Sequence, residues 1–227
     1  MNSLITVLLL VLAQSAFAQG NFQNLDFEQA TISPVPPGGM LNPISAADAL
    51  PYWTVLMGDT EFTYVFGISE YEGTSVALLS SVSGHFGPIE GNYSVQLFGN
   101  SSTPIYQNAS IFQTGLIPDG TQSILFLLRN NIIPDRNPAS QEFLVTISGT
   151  PIPLFVQSSS GGIMTLGGNV SAFSGTTAEL RFTAFDGGYG LDSILFSSQA
   201  VPEPGALSLI GLGLLGLGWH RRRKGCT

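Results

Sequence analysis

Histidine, cysteine and paired carboxylates are the side chains with which this sequence could do chemistry, and they are sparse. The 227 residues include two histidines, His85 and His220, and one cysteine, Cys226. A Ser-His-Asp relay in the central part of the chain would have to use His85. That residue sits in the loop-like run Ser83-Gly84-His85-Phe86-Gly87, and no G-x-S-x-G elbow occurs anywhere. Neither an H-E-x-x-H pair nor a Cys/His cluster offers a zinc site. Glu70 and Glu72 could in principle serve glycoside hydrolysis, but two acids two residues apart on a strand or loop specify nothing. The chain therefore reads as a non-enzyme. An extracellular hydrolase built on His85 is the weaker alternative.

Charge narrows the partners. Of the seven Lys and Arg residues, four form the terminal cluster, leaving Arg129, Arg136 and Arg181 in the body. Fourteen of the fifteen acids lie in residues 19–200, giving that stretch a formal charge of −11. A lysine-free, acidic surface repels phosphate backbones, so nucleic acid is excluded as a partner. Because Cys226 lies behind the terminal cluster, no disulfide can form inside the body, and stability must come from a hydrophobic core.

The elements that would position any site are strands. Residues 19–200 show no sustained 3.6-residue periodicity. Short apolar or alternating runs recur between Gly, Pro, Asn and Ser clusters instead. Runs at residues 22–27, 52–57, 60–66, 75–81, 93–98, 105–113, 123–128, 142–147, 152–156, 163–166, 178–184 and 193–198 read as strands. Residues 34–43, 84–88 and 130–138 read as loops. Gly58-Asp59 joins one expected hairpin, and Gly149-Thr150-Pro151 a second. Asp186 to Asp192, two acids around three glycines, reads as a tight hairpin in preference to a cation loop, since it lacks the EF-hand pattern. Residues 123–128 are nearly all apolar and are expected to be buried on both faces or central to the sandwich. The fold class is all-β: a single antiparallel β-sandwich, jelly-roll-like, of roughly eleven strands with no helix. A β-helix is the rival, but no fixed repeat period supports it.

Both ends read as targeting segments. Residues 4–12 are an apolar core, and Ala16-Phe17-Ala18 ends in an A-x-A site that predicts cleavage between Ala18 and Gln19, although residues 1–3 carry no Lys or Arg. At the other end, Pro202-Glu203-Pro204 breaks the last strand. An apolar run at residues 205–219 follows, and then His220, Arg221, Arg222, Arg223 and Lys224. The apolar run is expected to be a single transmembrane helix, and the four adjacent cations to stop transfer on the cytoplasmic side. Fifteen residues span only ~22 Å against a hydrocarbon core of ~30 Å, which suits a temporary span. The organisation is therefore a signal peptide at 1–18, a β-sandwich at 19–200 and a tail at 201–224.

This three-part tail resembles the PEP-CTERM sorting signal of Gram-negative bacteria. The resemblance rests on Pro202-Glu203-Pro204, the helix 205–219 and the cluster Arg221–Lys224. It implies recognition by the membrane enzyme exosortase, removal of the helix, transient residence in the inner membrane and delivery to a cell surface or exopolysaccharide-rich matrix. It implies an address and no activity.

A looser resemblance joins the two ends of the body. Asn24-Leu25-Asp26-Phe27-Glu28 is similar to the opening segment of galactose-binding-like jelly rolls, and Leu191-Asp192-Ser193-Ile194-Leu195-Phe196 to their closing strand. The resemblance implies that these ends lie together, that Glu28 and Asp192 could ligate a structural calcium ion, and that the domain could bind carbohydrate. The alternative for both acids is a strand-end carboxylate in solvent or one capping backbone amides. Tyr52, Trp53, Tyr64, Phe66, Tyr71, Tyr93 and Tyr106 are the candidate sugar-stacking rings, with Trp53 expected in the core. Asn92, Asn100, Asn108 and Asn169 begin Asn-x-Ser sequons. The leading reading is an exported, non-enzymatic surface or matrix protein. The alternative is a carbohydrate-binding module.

Overall fold

A computed structural model describes residues 21–32, 43–67, 74–81, 86–100, 108–130 and 142–201. Ala18, Gln19, Pro202–Pro204, Arg221–Lys224, His85, Glu70, Glu72, Tyr71, Tyr106 and Arg136 lie outside the described residues.

Two sheets make up the body. The strands are β1 (Pro43–Ser45), β2 (Thr54–Met57), β3 (Thr60–Phe62), β4 (Tyr64–Phe66), β5 (Ser75–Leu79), β6 (Ser94–Gly99) and β7 (Ala109–Leu116). They continue with β8 (Ser123–Asn130), β9 (Phe143–Ile147), β10 (Thr150–Pro151), β11 (Phe155–Ser160), β12 (Ile163–Asn169), β13 (Thr177–Ala184) and β14 (Gly187–Ser197). One sheet has eight strands in the order β1-β4-β5-β6-β14-β8-β12-β11, and the other six in the order β10-β9-β13-β7-β2-β3. Pairing is antiparallel except between β4 and β5. The all-β expectation holds.

Alternation explains the core. On β8, Ile124, Phe126 and Leu128 turn inward while Leu125, Leu127 and Arg129 are only partly buried, the two-residue period of a strand with one covered face. They meet Val145, Ile147, Leu180 and Phe182 of the six-stranded sheet in one hydrophobic cluster. Aromatic rings tie the layers together. Phe126 and Phe182 pack edge-on with centroids 5.3 Å apart, and Trp53 stands 6.2 Å from Phe182. Removing the Phe182 ring would cost about 3–5 kcal/mol, the usual price of an emptied aromatic site.

The Gly58-Asp59 hairpin forms as expected between β2 and β3, and residues 123–128 are central, between β14 and β12. Three expectations change. Asp186 to Asp192 is no hairpin: β13 and β14 belong to different sheets, so the chain crosses between layers at Phe185-Asp186 and Asp192 lies within β14. Residues 22–27 are not a strand but turns, with one bridge from Asn21 to Leu116. Gly149 to Pro151 reverses the chain only into the two-residue β10, and β11 then starts in the other sheet. A short helix, α1 (Ala46–Ala49), and a 3-10 turn at Ser171–Phe173 also appear where none was expected.

The closing segment stays packed beyond β14. Ser123 Oγ donates to the Gln199 carbonyl at 2.7 Å. Val201 is buried, with its Cγ2 2.8 Å from where a side chain on Gly167 would begin. Among the described residues no helix is long and apolar enough to cross a membrane.

Candidate functional site: two carboxylates on one loop

Residues 24–28 form a compact reversal. Asn24 and Phe27 both have positive φ, 51° and 59°, and asparagine tolerates that region better than most residues. Phe27 N donates to the Asn24 carbonyl at 3.4 Å within the reversal, and three longer-range bonds hold Asn24. Its Oδ1 accepts from Gln29 N at 3.0 Å, its Nδ2 donates to the Pro51 carbonyl at 3.2 Å, and its own carbonyl accepts from Trp53 Nε1 at 2.9 Å. Trp53 is thus a core residue with a satisfied indole N–H, and Phe27 packs on it with centroids 5.7 Å apart.

That reversal aims Glu28 at the loop before β6. Glu28 Oε1 accepts from Asn92 N at 2.7 Å and Tyr93 N at 2.9 Å, and Oε2 accepts from Asn92 Nδ2 at 2.9 Å. Gly91, with φ +57°, makes room: a Cβ there would lie 2.7 Å from Glu28 Cδ. Tyr93 donates its hydroxyl to the Ile32 carbonyl at 3.0 Å, fastening the same loop to the same segment. Partial burial pushes the Glu28 pKa up, but the Tyr93 N–H, the Asn92 amide side chain and the Asn92 N–H outweigh it. The group titrates below its ordinary value.

Asp192 holds the other side of the loop. It is 1% exposed. Its Oδ2 accepts from Glu90 N at 3.0 Å and Ser94 Oγ at 2.7 Å, and its Oδ1 from Ser193 N at 2.6 Å. Ser94 Oγ in turn accepts from Ile89 N at 2.7 Å, and Ser193 Oγ donates to Glu90 Oε2 at 2.7 Å. β14 shifts register between Asp192 and Leu195, with Ser193 at φ 50°, and this irregularity lets Ile194 N reach the Leu25 carbonyl at 2.9 Å. Burial raises the Asp192 pKa. The Ser94, Glu90 and Ser193 donors counter it in part, and the Glu90 carboxylate adds to the rise. Arg129, half-buried, donates to the Gly87 carbonyl at 2.6 Å and lies over the Phe86 ring. Burial lowers its pKa and the Asp192 charge partly restores it.

Glu28 and Asp192 therefore meet around one loop, residues 89–94, and the opening and closing segments of the body lie side by side. The donor set decides what they can hold. A calcium ion needs six to eight oxygens with lone pairs free to face it, whereas all four oxygens of these two carboxylates accept N–H or O–H donors from the chain. No group of three or more His, Cys, Asp or Glu residues among the described residues could hold a metal ion. As placed, the residues fit a hydrogen-bonded loop clamp and not a calcium cage.

Of the candidate stacking rings, Trp53 and Phe66 are buried and Tyr93 is half-buried. Tyr52, 57% exposed, and Tyr64, 37% exposed, face outward. Tyr64 is flanked edge-on by Phe62 and Phe66 at 5.4 and 5.8 Å. Sequence reasoning missed Asn24, Glu90, Gly91, Asn92, Ser94 and Ser193. The Gly91-Asn92 dipeptide was a readable turn signal, but nothing local tied its loop to Glu28, 64 positions from Asn92, or to Asp192, 102 positions from Glu90.

Known proteins resemble this chain at its tail and, more distantly, over most of its length. Residues 200–223 match the PEP-CTERM protein-sorting motif. Among solved structures the chain is similar to the K2 cleaved adhesin domain of Lys-gingipain, at 14% identity and TM-score 0.39, covering 69% of this chain and 98% of that one. It is also similar to TmCBM61, solved with β-1,4-galactotriose, at 13% identity and TM-score 0.26, covering 79% of this chain and 100% of that one. No curated protein matches the chain. The molecule is thus a two-sheet β-protein carrying a C-terminal protein-sorting motif.

Proposed function

We propose that this chain is an exported, non-enzymatic protein of the cell surface or extracellular matrix, carried to its site by the C-terminal tail. The sorting motif at residues 200–223 carries this reading. Exosortase recognises Pro202-Glu203-Pro204 in an inner-membrane-anchored precursor, Arg221, Arg222, Arg223 and Lys224 hold the tail on the cytoplasmic side, and the body is released into an exopolysaccharide-rich layer. The backbone and side-chain donors aimed at Glu28 and Asp192 support a structural role for the two acids. Intact mass and terminal mapping of native protein test the proposal. It expects a first residue of Gln19 and a last residue before Arg221, and a mature form that retains Arg221–Lys224 overturns processing. Hydrolytic activity abolished by His85→Ala would overturn the non-enzymatic reading.

A second reading, a carbohydrate-binding module, has one specific observation in its favour. Tyr52 presents an exposed ring from a backbone held at φ 73°, a conformation a bulky residue adopts only where its surroundings impose it. Glycan-array binding that is lost in Tyr52→Ala or Tyr64→Ala would favour this reading, and an unresponsive array would dismiss it.

A further inference from the structure

We propose that the outer edge of β11 is a self-association surface, pairing antiparallel with β11 of a second copy of the chain to continue the eight-stranded sheet across a two-fold axis near Ser159. Among the described residues the two sheets end in four edge strands, and three of them are blunted. β1 has three residues and starts at Pro43, β10 has two and ends at Pro151, and β3 has three with Glu61 in the middle. Short length, proline, charge and bulges are the devices by which proteins keep unpaired edges from adding strands. β11 has only the last, a register shift between Val156 and Ser158. It runs six residues, Phe155-Val-Gln-Ser-Ser-Ser160, with neither proline nor charge. Among the described residues no strand lies beyond it.

The setting of β11 favours a copy of the same chain as the occupant. Residues 143–178 contain none of the charged residues of a chain whose formal charge is −8. Two copies repel one another across their acidic surfaces and least along this edge. Phe155 is partly buried and the other five residues are exposed, Val156 to 45%, so little of the strand's surface is committed elsewhere. Gly161 and Gly162, at φ 59° and 80°, close a two-residue hairpin that pairs Ser160 with Ile163. In such a hairpin the residues flanking the loop exchange their backbone bonds with each other, and the next residue directs its N–H and C=O outward. That residue is Ser159. The register shift between Val156 and Ser158 breaks the straight edge before it, which centres pairing on the Ser158–Ser160 half.

The test uses the full chain in detergent, in a Cys226→Ser background. A Ser159→Cys variant treated with a short bis-maleimide is expected to give a covalent dimer, and Glu61→Cys on the β3 edge is not. In sedimentation velocity the unlabelled chain is expected to dissociate on dilution. Ser159→Lys is expected to weaken the dimer at least tenfold with an unchanged melting temperature. A chain that stays monomeric at all concentrations overturns the proposal. So does a dimer indifferent to Ser159→Lys, or a monomer whose retention on host polysaccharide falls in that variant, which would make the edge a ligand surface.

Discussion

Gly91 occupies the space that Glu28 needs: the side chain Gly91 lacks would begin 2.7 Å from Glu28 Cδ, on a backbone at φ +57°. Gly91→Ala therefore meets two obstacles, left-handed strain and displacement of the carboxylate from Asn92 and Tyr93. We expect it to destabilise by roughly 2 kcal/mol and Glu28→Ala by roughly 1–2 kcal/mol. Because both act on one set of hydrogen bonds, the double variant should lose less than the sum. Urea melts of the four proteins measure this, and strict additivity would refute the clamp.

Acid should act on the two carboxylates in opposite directions. The folded-state pKa of Glu28 lies below its ordinary 4.5, so its contribution is fully present above that value and is lost as pH falls through the lowered folded one. Asp192 is raised above 3.8, so its cost is absent below 3.8, grows between 3.8 and the raised folded value, and is constant above it. Melting temperatures between pH 7 and pH 3 should show the advantage of wild type over Glu28→Gln shrinking below about pH 4.5. A constant gap across that range would contradict the assignment.

Asp192→Asn should destabilise by about 1–3 kcal/mol even though burial favours a neutral side chain. An amide offers one acceptor oxygen and turns an NH₂ toward the fixed N–H of either Glu90 or Ser193. Ser94→Ala removes a rotatable hydroxyl and should cost less. If chemical denaturation ranked the two in the reverse order, the donor arrangement around Asp192 would be wrong.

Chelation should leave the melting temperature of the protein unchanged, since the oxygens of Glu28 and Asp192 already face donors. A fall on adding EDTA, restored by calcium, would show that the clamp rearranges around an ion.

Trp53→Phe should cost about 1–3 kcal/mol, because it removes the shorter of the two bonds to the buried Asn24 carbonyl and leaves only the 3.4 Å bond from Phe27 N. Asn24→Ala should cost at least as much, since it deletes the bonds to Gln29 and Pro51 and leaves a positive φ on alanine. Thermal melts of both variants check this.

Much of the sandwich was legible because alternation is local. The β2–β3 hairpin, the central β8 and the buried Trp53 each follow from a pattern within a few residues. The sheet to which a strand returns is not local. Asp186-Gly187-Gly188 correctly signals a change of direction after β13, yet the same signal serves a hairpin and a crossing between layers. Residues 22–27 alternate like a strand, but Asn24 gives its side chain to Gln29 and Pro51 and the segment turns. β11 was cut short at residue 156 because serines carry no hydrophobic period. At the clamp, the two acids were visible as a pair through resemblance. Their function as acceptors depends on the loop from Glu90 to Ser94, which reaches them only after the chain has folded.

The burial of Val201 against Gly167 also sets a length. Pro202, Glu203 and Pro204 are all that separates this docked residue from the apolar run, and three residues reach at most ~11 Å. In the precursor proposed above, an acidic body would ride within about one screening length of the bilayer, on a leash too short to let it tumble. An enzyme cutting there would have to work in that narrow gap, against a folded wall.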